Sequence, residues 1–212
     1  VSLENKAGTC NLAGKFCTVA FLEKWRYRLG ESSLRRQMKK NHRQVKAFNL
    51  RQAKEVGILF DATTLEKYEP VRSFIAFLQE QGIHTHVLGY INDKKIPDSY
   101  LLRRSFHFFS KNDLSWIFKP VSQHAINFYE KNFDILFCLD TENLFPLRYI
   151  ATLSRAHFKV GRFFPDHQHF DFMINLKEDT SVAYLIEQIK VYLSNLRTSN
   201  ESEINKPIPA EK

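Results

Sequence analysis

Glycine is scarce in this chain, with seven residues in 212 and seven prolines beside them. Such a sequence is not loop-built or low in complexity. The scarcity also shows in the motifs that are missing. No G-x-G-x-x-G follows a strand pattern, and neither a P-loop sequence nor a G-x-S-x-G is present. These motifs use glycine where backbone must turn tightly or lie against a phosphate. Classical dinucleotide binding, P-loop phosphate binding and α/β-hydrolase chemistry are therefore not expected. Cysteine is scarce too. Cys10 and Cys17 lack a partnering pair at zinc-finger spacing, and Cys138 sits inside an apolar run. Three cysteines so placed fit a reducing compartment. No apolar run reaches the ~18 residues of a membrane span. The mildly apolar stretch Leu12–Leu22 is interrupted by Lys15 and lacks the charged start of a secretory signal. A cytoplasmic location with no transmembrane segment is the expectation.

What the chain does have is apolar mass: 43% hydrophobic residues, nineteen of them Phe. That suffices for a substantial core. The most informative segment is Phe133–Gly161, which reads as a buried strand, an acidic turn, a helix and a second strand. Phe133–Leu139 is apolar without alternation, the mark of a strand buried on both faces. The same grammar runs through the chain. Strands are expected at Val56–Phe60, Ile83–Ile91, Ser105–Phe109, Phe158–Phe163 and Phe170–Leu176. Helices are expected from Thr63 to Gln81, over Ser122–Lys131, over Leu144–Ala156 and over Thr180–Leu196. Thr63 and Glu66 have capping-box spacing, Pro70 could delay the first of these helices, and Asp179 could cap the last. Alternating strands and helices imply right-handed crossovers. The expected fold is a Rossmann-like or flavodoxin-like three-layer α/β domain with a mostly parallel sheet over residues 55–196. A basic helical arm (21–54) precedes it, residues 1–20 read as poorly structured, and a disordered tail follows (197–212).

Charge is concentrated in that arm. Glu23–Lys54 holds eleven Lys/Arg against two Asp/Glu, which is +9, whereas the whole chain is +8. Phe21, Leu22, Trp25 and Leu29 recur at helical spacing, with Trp25 expected to anchor the arm to the core. Gly30 then reads as a break, and Ser32 or Ser33 as the cap of a second helix. In that helix Leu34, Met38 and Val45 fall within a ~40° arc. Arg35, Arg36, Lys39, Lys40, Arg43 and Lys46 cover much of the rest and form the candidate nucleic-acid surface. A solvated helix face explains the same pattern without a partner.

In an open parallel sheet, ligands bind beyond the carboxyl ends of the strands. Two expected strands end in Asp. Asp61 is followed by Thr63 and Thr64; Asp140 is followed by Thr141, Glu142 and Asn143; Lys111 follows the third strand. Together they form a candidate ligand crevice, although Asp61, Thr63 and Asn143 suit turn and cap roles equally. His84 and His86 share a strand face without an identifiable third ligand. His167 and His169, with Asp166 and Asp171, match no standard metal site. No metal, cofactor or catalytic residue is assigned.

GILFDAT (Gly57–Thr63), FFSKNDLSW (Phe108–Trp116), FDILFCLD (Phe133–Asp140), FPLRYIATLSRAHFKVG (Phe145–Gly161) and LIEQIKVYLS (Leu185–Ser194) carry a resemblance. In that order they are similar to an uncharacterised Bacteroidota family known by a domain-of-unknown-function label, over roughly Phe21 to Leu196. The resemblance implies a small cytoplasmic α/β protein without known activity, and supplies no catalytic residue. The stretch from Leu139-Asp140 to Val160-Gly161 also resembles the N-terminal half of heptosyltransferase-type glycosyltransferases. That likeness is local, and the second half that would bind a sugar nucleotide is missing. Two functional readings follow. The first is a non-enzymatic protein whose basic arm contacts RNA or a ribonucleoprotein. The second is a small-ligand binder or enzyme, of nucleotide or sugar-phosphate class, using the crevice near Asp61 and Asp140. A peripheral membrane contact is weaker, because the apolar stripe is thin.

Overall fold

The computed structural model describes residues 11–97, 100, 106–166 and 169–197, with side chains from Phe21 onward. The tail expected to be disordered lies almost wholly outside them, as does His167. Helix α1 (Asn11–Met38) comes first, starting inside the stretch expected to lack structure. After it come β1 (Glu55–Asp61), α2 (Leu65–Glu80), β2 (His84–Ile91), β3 (Phe106–Ser110) and α3 (Gln123–Glu130). Then follow β4 (Ile135–Leu139), α4 (Phe145–Leu153), β5 (Phe158–Arg162), β6 (Phe172–Ile174) and α5 (Val182–Asn195). The strands form one six-stranded sheet in the order β3-β2-β1-β4-β5-β6, and every pairing is parallel.

Alternation along the strands divides the core. Ile58, Phe60, Ile135 and Phe137 point to one face, where α2 contributes Val71 and Phe74 and α5 contributes Leu185 and Ile189. Leu59, Leu88, Leu136 and Cys138 point to the other, where Phe128 of α3 and Leu147 and Ile150 of α4 meet them. All nine residues of α4 are buried. The cause is a further layer: Leu34 of α1 packs on Phe145, Tyr149 and Leu153, the side of α4 turned away from the sheet.

Helix α1 corrects the reading of residues 21–54. It is one helix through Gly30, and Ser32 bonds back to the Arg28 carbonyl rather than capping a second one. It ends at Met38, so Arg43, Val45 and Lys46 lie in irregular chain, and Val45 is exposed. The docking face is also different. Phe21, Leu22 and Trp25 point to solvent, whereas Tyr27, Gly30, Glu31 and Leu34 face inward. Gly30 is there for close approach: a Cβ would lie 2.5 Å from the Ile117 carbonyl oxygen. Alanine is the better helix former by ~1 kcal/mol. Gly30→Ala is nevertheless expected to lower stability by ~1–3 kcal/mol, the cost of overpacking. A rise in the denaturation midpoint would show that α1 does not seat as described.

Smaller corrections have local causes. The Thr63–Glu66 capping box does not form: Thr64 is the N-cap of α2 and its side chain makes no cap bond. Pro70 sits inside that helix without delaying its start at Leu65. Gly82 takes φ 76°, a left-handed turn that ends α2 without steric cost. In α5, Ser181 caps by accepting from the Tyr184 N–H, and Asp179 accepts from the Ser181 N–H one step earlier.

Candidate functional site

The strand order reverses between β1 and β4. In a doubly wound sheet that switch point is where a crevice opens beyond the strand ends. Asp61 ends β1 and Asp140 follows β4, so both carboxylates come to the place the fold reserves for ligands. Each is 3% exposed.

Their partners are mostly local. Asp61 accepts from the Thr63 N–H at 3.0 Å and from the Thr63 hydroxyl. Asp140 accepts from the Glu142 N–H at 2.9 Å and the Leu144 N–H at 2.7 Å, which organises the turn into α4. Lys67, in the first turn of α2, then closes the crevice. Its ammonium lies 2.6 Å from Asp61 and also pairs with Glu142. Burial works against the charge on Lys67, but the bonds to Asp61 and Glu142 outweigh it and raise its pKa. Burial pushes Asp140 up to about 6, with the charges of Asp61 and Glu142 adding to the effect and the two backbone bonds opposing it.

The remaining expected site residues divide. The Thr141 carbonyl accepts from Arg162. Asn143 takes the left-handed conformation, φ 60°, and accepts from Arg148 at 3.3 Å. The Thr64 side chain makes no cap bond. Lys111 follows β3, two strands away from β1; its N–H donates to the Asp93 carbonyl, and its side chain contacts neither Asp. Sequence reading missed Lys67, Arg148 and Arg162. Of these only Lys67 had a signal, a cation in the first turn of the helix that follows a strand-ending Asp. Arg148 is 4% exposed and is pinned by Tyr27 at 2.8 Å and by Glu31, both from α1. The cavity beside Asp140 and Arg148, bordered also by His169 and Phe170, measures about 10 Å³. That is room for a single water molecule.

Chemically, this arrangement is a pair of turn-forming carboxylates held by backbone N–H groups, with Asp61 also locked by Lys67. Asp61→Ala and Asp140→Ala should each cost ~0.5–2 kcal/mol, as for loss of a cap. A thermal melt in which Asp140→Ala gains stability would instead mark a strained, functional carboxylate.

The second candidate surface is on α1. At ~100° per residue, the exposed Lys24, Arg28, Arg35 and Arg36 fall within a ~120° arc that starts beside the α4-facing stripe and runs round into solvent. Lys39 and Lys40 are exposed in the turn that follows. Arg43 is not available in the same way. It forms a two-pronged ion pair with Asp171 and donates to the Ala156 and His157 carbonyls. Lys46 is exposed, with its ammonium 5.2 Å from the Phe48 ring centre. Trp25 is 50% exposed rather than an anchor, and its ring centre lies 5.8 Å from that of Trp116, itself 57% exposed. Trp116 is carried by a tight turn in which Phe118 takes φ 62°. Arg26 holds that turn against α1, donating to the Trp116 carbonyl and lying 4.5 Å over the Phe118 ring. A shallow groove of about 540 Å³ runs between Phe118 and Lys24, Tyr27 and Arg28.

His84 and His86 find no metal partners, and among the described residues no group of three or more His, Cys, Asp or Glu is arranged to hold a metal ion. No described helix is long and apolar enough to cross a membrane.

The fold is thus a doubly wound α/β sheet of order 3-2-1-4-5-6 with an extra helix outside it. Residues 26–196 match the model of a family of unknown function, DUF6913, and the chain belongs to that family. Neither a curated protein nor a solved structure matches the chain.

Proposed function

We propose that this is a non-enzymatic, cytoplasmic RNA-binding protein, with the α/β sheet as scaffold and the outer face of α1 as contact surface. One observation carries the reading: four cations of α1 share one solvent-facing arc beside the half-exposed Trp25–Trp116 pair. Cations track a phosphate backbone, while exposed aromatic rings accept unpaired bases by stacking. The combination favours single-stranded RNA, free or within a ribonucleoprotein. Lys39, Lys40 and Lys46 extend the basic surface beyond the helix. The crevice near Asp61 and Asp140 supports a ligand-binding or enzymatic role less well, since Lys67 fills it and the Asp140 oxygens are occupied by backbone N–H groups.

The test keeps the chain intact. Arg28→Gln, Arg35→Gln and Arg36→Gln are combined, and binding to a fluorescent single-stranded RNA is followed against salt. Each lost phosphate contact removes ~0.7 from the slope of log affinity on log salt, so the triple variant should lose ~2. Trp116→Ala should weaken binding by about tenfold or more, the effect of one lost stacking contact. Unchanged binding by the triple variant would sink the reading. Phe21, Leu22 and Trp25 beside these cations also suit an anionic membrane surface. Co-sedimentation with phosphatidylserine vesicles in the absence of RNA binding would replace RNA with lipid.

A further inference from the structure

A pocket of about 150 Å³ opens at the other end of the sheet from Asp61 and Asp140, between β2, β3 and α3. Its floor is apolar: Leu88, Phe128 and Phe133 all belong to the core on that side. Its rim is formed by His86 from β2, His107 from β3, His124 from α3 and Lys131 just after α3. Register explains the meeting. His107 pairs with Leu88, two residues on from His86, so both histidines flank the same part of the floor.

The rim is short of negative charge. Glu55 of β1 is the one carboxylate in contact with these groups among the described residues, and it is committed. It lies 2.8 Å from the His86 ring and 3.1 Å from the Lys131 ammonium. Slight burial opposes ionisation of Glu55, yet the bonds from Lys131 and His86 prevail and lower its pKa. His84 sits at the start of β2 on the same strand face, beside Glu55 and Lys131 in a neighbouring cleft. Among the described residues, His107 and His124 have no such carboxylate. Their rings stack, with centres 4.5 Å apart and planes 15° from parallel. Burial lowers the His107 pKa, and the nearby His124 and His86 lower it further. Among the described residues the stacked pair belongs to no group of three or more side chains arranged to hold a metal ion.

We propose that this pocket binds a small organic anion, a carboxylate on a flat apolar body. The carboxylate sits at His107 and His124, and the body lies on Phe128 and Phe133. The anion supplies the countercharge that the stacked imidazoles lack. Binding is therefore coupled to proton uptake and strengthens as pH falls. The size of the pocket and its apolar floor select against inorganic anions, which would use the rim alone.

Benzoate is the probe, added to the full chain while the imidazole C2 protons are followed by NMR at constant ionic strength. The expected result is saturable movement of the His107 and His124 signals. Affinity should be at least ~10-fold higher near pH 5.5 than near pH 8, because one imidazole gains a proton on binding. His107→Gln and His124→Gln, each checked for folding by circular dichroism, should each weaken binding about tenfold or more, the worth of a charge-assisted hydrogen bond. His124 is on an exposed helix face, so its variant keeps the test open if His107→Gln fails to fold. The proposal is overturned by shifts that do not saturate, by equal affinity at the two pH values, or by variants that bind as well as the parent. Saturable binding of zinc at these imidazoles without binding of benzoate would overturn it too.

Discussion

Truncating Leu136 to alanine should lower the unfolding free energy by ~2–5 kcal/mol in chemical denaturation. Leu136 is the second of the five residues of β4 and has no solvent exposure. Its side chain lies against the open side of Gly57 on β1, among the core residues that face α3 and α4. Neighbours on both sides, two strands and two helices, are fixed by the sheet and cannot collapse into the space left behind. The expected cost is therefore that of lost burial plus a residual cavity. A loss below ~1 kcal/mol would mean that β4 is not a central strand.

Replacing Lys159 by methionine should do the opposite. Lys159 is on β5, in register with Leu136, and is 2% exposed. Its ammonium donates to the Thr152 carbonyl at 2.8 Å. Burial pushes its pKa down to about 7, and the charge of Arg43 adds to this while Asp171 opposes it. An unfolded lysine keeps its proton up to its ordinary value of 10.5. Between those two values the unfolded state binds more protons, so stability rises with pH. Below about 7 the folded protein carries the full cost of a buried ammonium. Lys159→Met removes that cost at the loss of one hydrogen bond, worth ~1 kcal/mol. The net expectation near neutral pH is a gain on the order of 2–4 kcal/mol. Asp140 acts in the other window. Its pKa is raised from 3.8 to about 6, so its stabilising contribution is present below 3.8 and is lost as pH rises toward 6. Denaturation across pH should thus show a dip between about 6 and 7. Its alkaline wall should flatten in Lys159→Met. A parallel pH profile for parent and variant would refute the assignment. Because Lys159 and Leu136 touch across the ladder, their effects should not simply add.

The strands were legible because their apolar runs have no other use. VGILF and ILFCL can only be buried, and the Asp that ends or follows each of them marks the switch-point edge. Strand order was not legible, since apolar runs do not say which neighbour they prefer. Helix α1 was misread for a physical reason. Its apolar residues Phe21, Leu22 and Trp25 look like a docking stripe, yet the buried stripe contains Glu31 and Gly30. Glu31 belongs inside because Arg148 is there, and that partner is 117 positions later in the chain. Gly30 belongs inside because Ile117 needs the space. Local periodicity holds neither fact. Lys67 was hidden similarly: its role depends on Glu142, 75 residues away.

The burial of α4 on both sides has a consequence for how the chain is made. Synthesis proceeds from the N-terminus at ~5–20 residues per second. Helix α1 therefore leaves the ribosome while its seat is still unwritten, and it waits for more than a hundred residues until Phe145–Leu153 emerges. Throughout that interval its cations and its unburied Leu34 are exposed together. Docking of α1 onto α4 is then the step that sorts the two faces of the helix, one to the interior and one to solvent.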